Sequence, residues 1–334
     1  MYSNVVSGPI VSFLFLFQLF LLPAAKAQEP PISAFTDPAK TIHMGKEWES
    51  RSIIHERQAE KADLSVVLDQ HLYPALLPLI EEFSKKNNLK VAILSGTCGI
   101  SAGKLREKKA DMAGFCCPAG ETDRLPGLSF HTIGIGSLAL LINRVNPLNN
   151  LPLKSARDIF RGRINHWKVF GKDIPSGTGD EIIRPIGRLH CKARPGHWRL
   201  ILDNEELFSA RLHEVSTIPD MIAGIERKQG AIGYEVLWMV EKYKKGNKIK
   251  ILSIDGYSPY DKEALVAGKY PFYRTLNITT WTSESAKNIE ADKLADYLIR
   301  NAQRIDPRYG IIPVQKLRKA GWKFIGNELT GERD

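Results

Sequence analysis

No apolar run in this chain is long enough to cross a bilayer comfortably, and the residues that most often announce an active site are scarce. Of 334 residues, only 4 are cysteine and 8 are histidine. There is no Walker loop, no HExxH and no nucleophile-elbow pattern. Their absence removes the sequence signatures of P-loop NTPases, zinc peptidases and serine hydrolases. Lys and Arg outnumber Asp and Glu by ten, but no nucleic-acid recognition motif accompanies the charge. The densest basic runs, Lys242–Lys250 and Lys316–Lys323, read as solvated helix faces or turns. A basic exported protein points instead to an anionic ligand, an acidic partner or a negatively charged surface.

The longest apolar run, Val11 to Leu22, has signal-peptide length and is followed by the small-x-small pattern Ala25-Lys-Ala27. This predicts removal of residues 1–27 and a mature protein that is periplasmic or extracellular. No Lys or Arg precedes the run, so an uncleaved anchor is the alternative. No cysteine follows it at a lipoprotein position.

Residues 28–62 are polar and without periodicity, and read as an N-terminal arm with Trp48 as its docking point. Regular patterning starts at Leu64–Leu68, a β-branched strand. After the loop Asp69–Tyr73 comes an amphipathic helix over Pro74–Lys86, then a strand at Lys90–Leu94, a helix over Ile100–Lys109 and a strand at Asp111–Phe115. Strand–loop–helix alternation predicts an α/β fold with a parallel sheet. Phe130–Asn143, with Gly134 and Gly136, reads as an extended crossing segment with a hinge. A helix around Ser155–Arg161, a Gly-rich turn at 177–179 and a strand at Ile182–Gly187 come next. Gly230–Tyr234 reads as a second crossing. Two crossings predict two lobes, residues 63–136 with 237–334, and 137–236, with a ligand cleft between them at the carboxyl ends of the strands.

The four cysteines lie in short Gly- or Pro-flanked loops just after apolar runs: Cys98, the pair Cys116-Cys117, and Cys191. In an exported protein they suggest disulfides, for instance Cys98 with one of the pair and Cys191 with the other. Thiol ligation is the other reading. Cys98, Cys116, Cys117 and Cys191, with His71 and His190, form a candidate ligand set for a soft metal ion or a trivalent metalloid such as arsenite. Helix amino termini, Arg188 and Lys192 would lower the thiol pKa values. Tyr73 is a candidate cleft residue. His43, His55, His166 and His213 read as surface or capping residues, whereas His131 and His197 stay open. A thiol enzyme is a poor fit, because Cys191 and His190 are adjacent on a strand end and point in opposite directions.

Several segments, in order, are similar to one family. Gly96-Thr-Cys-Gly-Ile-Ser-Ala-Gly103 with Lys109-Ala-Asp-Met-Ala-Gly114 resembles an anion loop, helix and strand. Leu153 to Trp167 is close to a pattern ending I-F-x-G-x-I-x-x-W, Gly230–Tyr234 resembles a return segment, and Gly268-Lys-Tyr-Pro-Phe272 a G-x-Y-P-L element. From about Leu64 to Leu329 the chain resembles the phosphate-binding proteins of bacterial ABC transporters, which have the type II periplasmic binding protein fold. The resemblance implies a non-enzymatic receptor with two α/β lobes that close on a small anion, and an ABC permease or a sensor kinase as its partner. Residue by residue it implies that Thr97 and Gly99 belong to the anion loop and that Arg188 clamps the oxyanion.

The departures from that pattern lie at the ligand. Cys116-Cys117 stand where the family has serines, Leu189 replaces an acidic residue, and Arg188-Leu-His-Cys-Lys192 departs from Arg-x-x-Ser-Gly-Thr. Serine-to-cysteine exchange keeps size but trades a good hydrogen-bond donor for a soft metal ligand. The expectation is a cleft turned towards a thiophilic ligand, with an oxyanion receptor held by structural disulfides as the alternative.

Overall fold

The computed structural model describes residues 1, 35–171, 181–189 and 197–333. The predicted signal peptide, the turn at 177–179 and His190, Cys191 and Lys192 lie outside the described residues. Ile32–Asp334 forms one compact unit.

Its strands are β1 (Leu64–Asp69), β2 (Val91–Gly96), β3 (Met112–Phe115), β4 (Leu128–Asn143), β5 (Asn150–Leu151), β6 (Arg184–Gly187), β7 (His213–Glu214), β8 (Ala231–Val236), β9 (Ile249–Ile254), β10 (Tyr273–Trp281), β11 (Ile311–Pro313), β12 (Lys323–Ile325) and β13 (Glu328–Gly331). Its helices are α1 (Lys46–Ser50), α2 (Tyr73–Asn87), α3 (Cys98–Arg106), α4 (Leu153–Phe160), α5 (Trp198–Ile201), α6 (Ile218–Arg227), α7 (Leu237–Tyr243), α8 (Lys262–Val266), α9 (Ile289–Arg300) and α10 (Val314–Lys319).

The first half follows the sequence pattern. β1 is buried along its whole length, as expected of a parallel strand covered on both faces. Pro74 in the first turn of α2 is tolerated because that amide needs no intrahelical acceptor. Leu76, Leu79, Ile80 and Phe83 form the buried stripe of α2, and Asn88 ends the helix in the left-handed conformation. β2 and β3 both flank β1 in parallel register.

Beyond β3 the sheet is mixed, with β10 and β4 antiparallel to their neighbours and β6 parallel to β7 and β8. Its order is β2-β1-β3-β10-β4-β8-β6-β7, and β10 runs antiparallel to both β3 and β4. The predicted hinge segment is instead one strand of 16 residues, β4. Over Leu128–Ser137 it pairs with β10, and over Leu138–Asn143 with β8 and β9. Gly134 serves close packing in that strand. A Cβ on Gly134 would stand 2.2 Å from the carbonyl oxygen of Ile312 in β11, too close for any side chain.

One core gathers β1, α2, α9 and the Cys116-Cys117 turn. Another surrounds the second half of β4 with α4, α6, β8 and β9. Residues Leu252 to Tyr273 thus pack with that second core.

The arm docks through Trp48, as its isolation in a polar segment suggested. Its ring lies 6.0 Å from that of Trp281, and its Nε1 donates to the carbonyl of Arg106 at 2.7 Å. The Lys108 ammonium, 1% exposed, sits between the two rings at 4.4 and 4.1 Å from their centroids. Burial lowers its pKa. Trp48→Ala is expected to cost about 1–3 kcal/mol, because it removes a cation–π partner and bares Lys108. Chemical denaturation checks this, and a change under about 0.5 kcal/mol would mean that the arm is not anchored there.

Candidate functional site

The carboxyl ends of β1, β2 and β3 point the same way, and the loops after them build one cluster. Asp69 ends β1, and its Oδ1 accepts the His71 amide at 2.8 Å, a local turn that folds His71 back into the protein. At the end of β2, the Thr97 hydroxyl accepts the Ile100 amide at 3.3 Å and caps α3, which places Cys98 in the first helical turn. Cys116 and Cys117 follow β3 directly. His197 arrives from far along the chain, just before α5.

Three thiols meet there. Cys98 Sγ lies 3.4 Å from Cys116 Sγ, and Cys116 Sγ lies 3.9 Å from Cys117 Sγ. None of the three is bridged to another in the structure. Cys116 Sγ is also 3.6 Å from His197 Nε2, and the rings of His71 and His197 are 5.3 Å apart. Among the described residues, two overlapping ligand sets result, Cys98–Cys116–Cys117 and His71–Cys116–His197, each with its donor atoms within 4.8 Å of one another. Cys116 belongs to both.

Burial governs the charges. It pushes the Cys116 thiol well up, and its hydrogen bonds with Cys117 and Cys98 add to that. The expectation of lowered thiol pKa values therefore fails at Cys116, which follows a strand, not a helix start, and is fully enclosed. Asp69 is pushed up to about 7, first by burial and then by negative charge at Cys98. Burial holds His71 and His197 well below the usual imidazole range, with the charges of Arg274 and Arg188 contributing at both. Both imidazoles are thus neutral at pH 7 and offer lone pairs, the form a metal or metalloid needs.

Of the residues singled out in the sequence, His71, Cys98, Cys116 and Cys117 come together. Thr97 and Gly99 sit at the start of α3, with the Thr97 hydroxyl engaged as a cap. Tyr73 opens α2, half-buried against the first core. Arg188 makes an ion pair with Glu235 at 3.0 Å, where Glu235 is wholly buried. Its carboxylate partner, replaced by Leu189 in the sequence, is thus supplied from β8. His131 bonds the Thr280 hydroxyl at 2.9 Å, a structural role.

Three residues of the site had no assigned role in the sequence pattern: Asp69, His197 and Arg274. Arg274 had the clearest signal, a single charge inside the buried run of β10. His197 had only its residue type.

Residues 55–302 match the model of a family described as a PBP superfamily domain. The fold is similar to that of an ABC-type phosphate transport receptor from Vibrio cholerae, at 17% identity and a TM-score of 0.60, over 75% of this chain and 99% of that one. A Clostridium perfringens structure with bound phosphate, assigned as the substrate-binding protein of a phosphate ABC transporter, is similar at 18% identity and a TM-score of 0.60, over 75% and 99% of the two chains. PstS from Borrelia burgdorferi is similar at 20% identity and a TM-score of 0.52, over 75% and 98%. Among the described residues, no helix is long and apolar enough to cross a membrane.

Proposed function

Because this chain belongs to the PBP superfamily, a family of binding proteins and not of enzymes, we propose that it is a solute-binding protein whose site takes a thiophilic ligand, a soft metal ion or a trivalent metalloid. The observation that supports this best is the position of Cys116, which shares one ligand set with Cys98 and Cys117 and another with His71 and His197. Thiols and neutral imidazoles suit soft centres, whereas a phosphate site relies on hydroxyls, amides and guanidinium groups. We place the protein outside the cytoplasm, with an ABC permease or a sensor kinase as partner. The ligand lies in a cleft between two lobes, residues 63–136 with 237–334, and 137–236.

One observation favours a second reading. The Cys98 and Cys116 sulfurs, 3.4 Å apart, need only a small movement to bridge. A protein oxidised there would be a phosphate-like oxyanion receptor with Thr97, Ser101, Arg188 and helix-end amides as its donors. Replacing Cys116 and Cys117 together by serine returns the loop to the hydroxyls of phosphate-binding relatives. On the thiophilic reading, this double variant gains phosphate affinity by about tenfold and loses arsenite and Cd²⁺ binding. Calorimetric titration measures all three. Unchanged phosphate affinity, with arsenite and Cd²⁺ inert towards both proteins, would support the oxyanion reading.

A further inference from the structure

Around the thiols lie buried N–H groups without acceptors. Arg274 is 1% exposed, yet its Nε and Nη1 have no hydrogen-bond partner among the described residues. β10 runs antiparallel to β3 with Asn277 opposite Phe115, so Arg274 lies beyond the carboxyl end of β3, beside the Cys116-Cys117 turn. Across the ladder on β4 it faces Gly136, where a Cβ would stand 3.6 Å from Arg274 Nε. The guanidinium therefore rests against bare backbone. Its positive charge reaches Asp69, His71 and His197. A second such donor is Trp238 Nε1, buried and without an acceptor among the described residues, whose ring meets His71 edge-on at 6.0 Å.

A buried donor left unmade is costly, and a charged one more so. Such donors beside a ligand site call for a ligand with oxygen. A bare divalent cation would give Arg274 nothing to bind and would add positive charge beside it.

Resting on the thiophilic reading of the site, we propose that the ligand is a trivalent metalloid hydroxide, of which arsenite is the simplest, held by two thiols and, through the oxygen it keeps, by Arg274. Cys98 and Cys116 displace two of the three hydroxyls of As(OH)₃. Two As–O bonds break, two As–S bonds form, each thiol proton leaves with a hydroxyl as water, and arsenic stays trivalent. The Cys98 and Cys116 sulfurs, 3.4 Å apart, are close enough to bond one centre together. The remaining hydroxyl oxygen accepts from Arg274 Nε and Nη1.

Methylarsonous acid tests the role of that oxygen. It spends both its hydroxyls on the two thiols and keeps only a methyl group. In the full-length reduced protein, Arg274→Gln is expected to weaken arsenite binding by about tenfold, while methylarsonous acid changes by less than about twofold and Cd²⁺ does not weaken. Calorimetric titration reads all three. Equal losses for both arsenicals, or no loss for arsenite, would overturn the assignment of Arg274. If Arg274→Gln does not fold, Arg274→Lys decides, since it keeps the charge but loses the two-pronged donor. A loss confined to arsenite supports the proposal, and none contradicts it. If neither arsenical binds the wild-type protein in a Cys116-dependent way, the thiophilic reading itself has failed, and the inference falls with it.

Discussion

Cys116→Ser is expected to lower the affinity for arsenite and for Cd²⁺ by more than about a hundredfold. The reason is geometric. Cys116 is the one residue common to the two ligand sets, so its loss leaves neither set with three donors. Cys98 and Cys117 each lie within 3.9 Å of Cys116, which joins them into one set. Serine fills nearly the same volume, so the fold should persist and its melting temperature should shift by only a few degrees. Calorimetric titration of reduced wild-type and variant protein measures the effect. Retained affinity within about threefold would show that the ligand is held elsewhere.

Asp69→Asn is expected to stabilise the ligand-free protein at pH 8, by on the order of 2–4 kcal/mol. Asp69 is fully buried, and its Oδ2 has no hydrogen-bond partner among the described residues. With its carboxyl pushed up from 3.8 to about 7, the folded protein holds this proton over a range in which the unfolded chain has released it. The folded state therefore binds more protons between those values, and Asp69 makes the fold less stable as pH rises from about 4 to about 7. Asparagine cannot ionise and keeps the oxygen that accepts the His71 amide. The gain in melting temperature should be full at pH 8 and should fade as pH drops towards 4. His71 and His197 have the opposite dependence, since their lowered pKa values destabilise the fold below about 6.5. They are present in both proteins and cancel in the comparison. A variant that is less stable at pH 8, or a gain independent of pH, would contradict this role for Asp69.

Asp69 is an unfavourable choice for stability alone. A buried carboxyl beside three thiols makes sense where a ligand displaces thiol protons or where an incoming centre supplies the missing partner. The same holds for Arg274. On the proposed function, both residues would gain partners from the ligand, a common trade at functional positions.

Much of this was legible in the chain. β1, α2, β2, α3 and β3 follow from apolar periodicity, because that signal acts within a few residues, although α3 starts at Cys98, two residues before the helix expected from Ile100. The grouping of Cys98, Cys116 and Cys117 followed from the rule that loops at the carboxyl ends of parallel strands converge. The antiparallel placement of β10 was not legible. Tyr273–Trp281 inserts between β3 and β4 although more than a hundred residues separate it from either, and periodicity carries no information about pairing partners. Arg274 was missed with it. His197 lies 81 residues from Cys116 in sequence, and a single histidine before a four-residue helix has no local pattern to mark it. At Cys116 the thiol pKa expectation failed for a related reason. It counted nearby helix ends and cations, which sequence shows, and not enclosure, which only the fold determines.

The proposed function depends on Cys98, Cys116 and Cys117 serving as ligands and not as disulfide partners. Purifying the protein without reductant, counting its reactive thiols, and repeating the count after one equivalent of arsenite decides between the two. The expected result is titratable thiols that arsenite blocks, and blocking that Cys116→Ser abolishes. A protein with no titratable thiols, stabilised by phosphate and indifferent to arsenite, would contradict it.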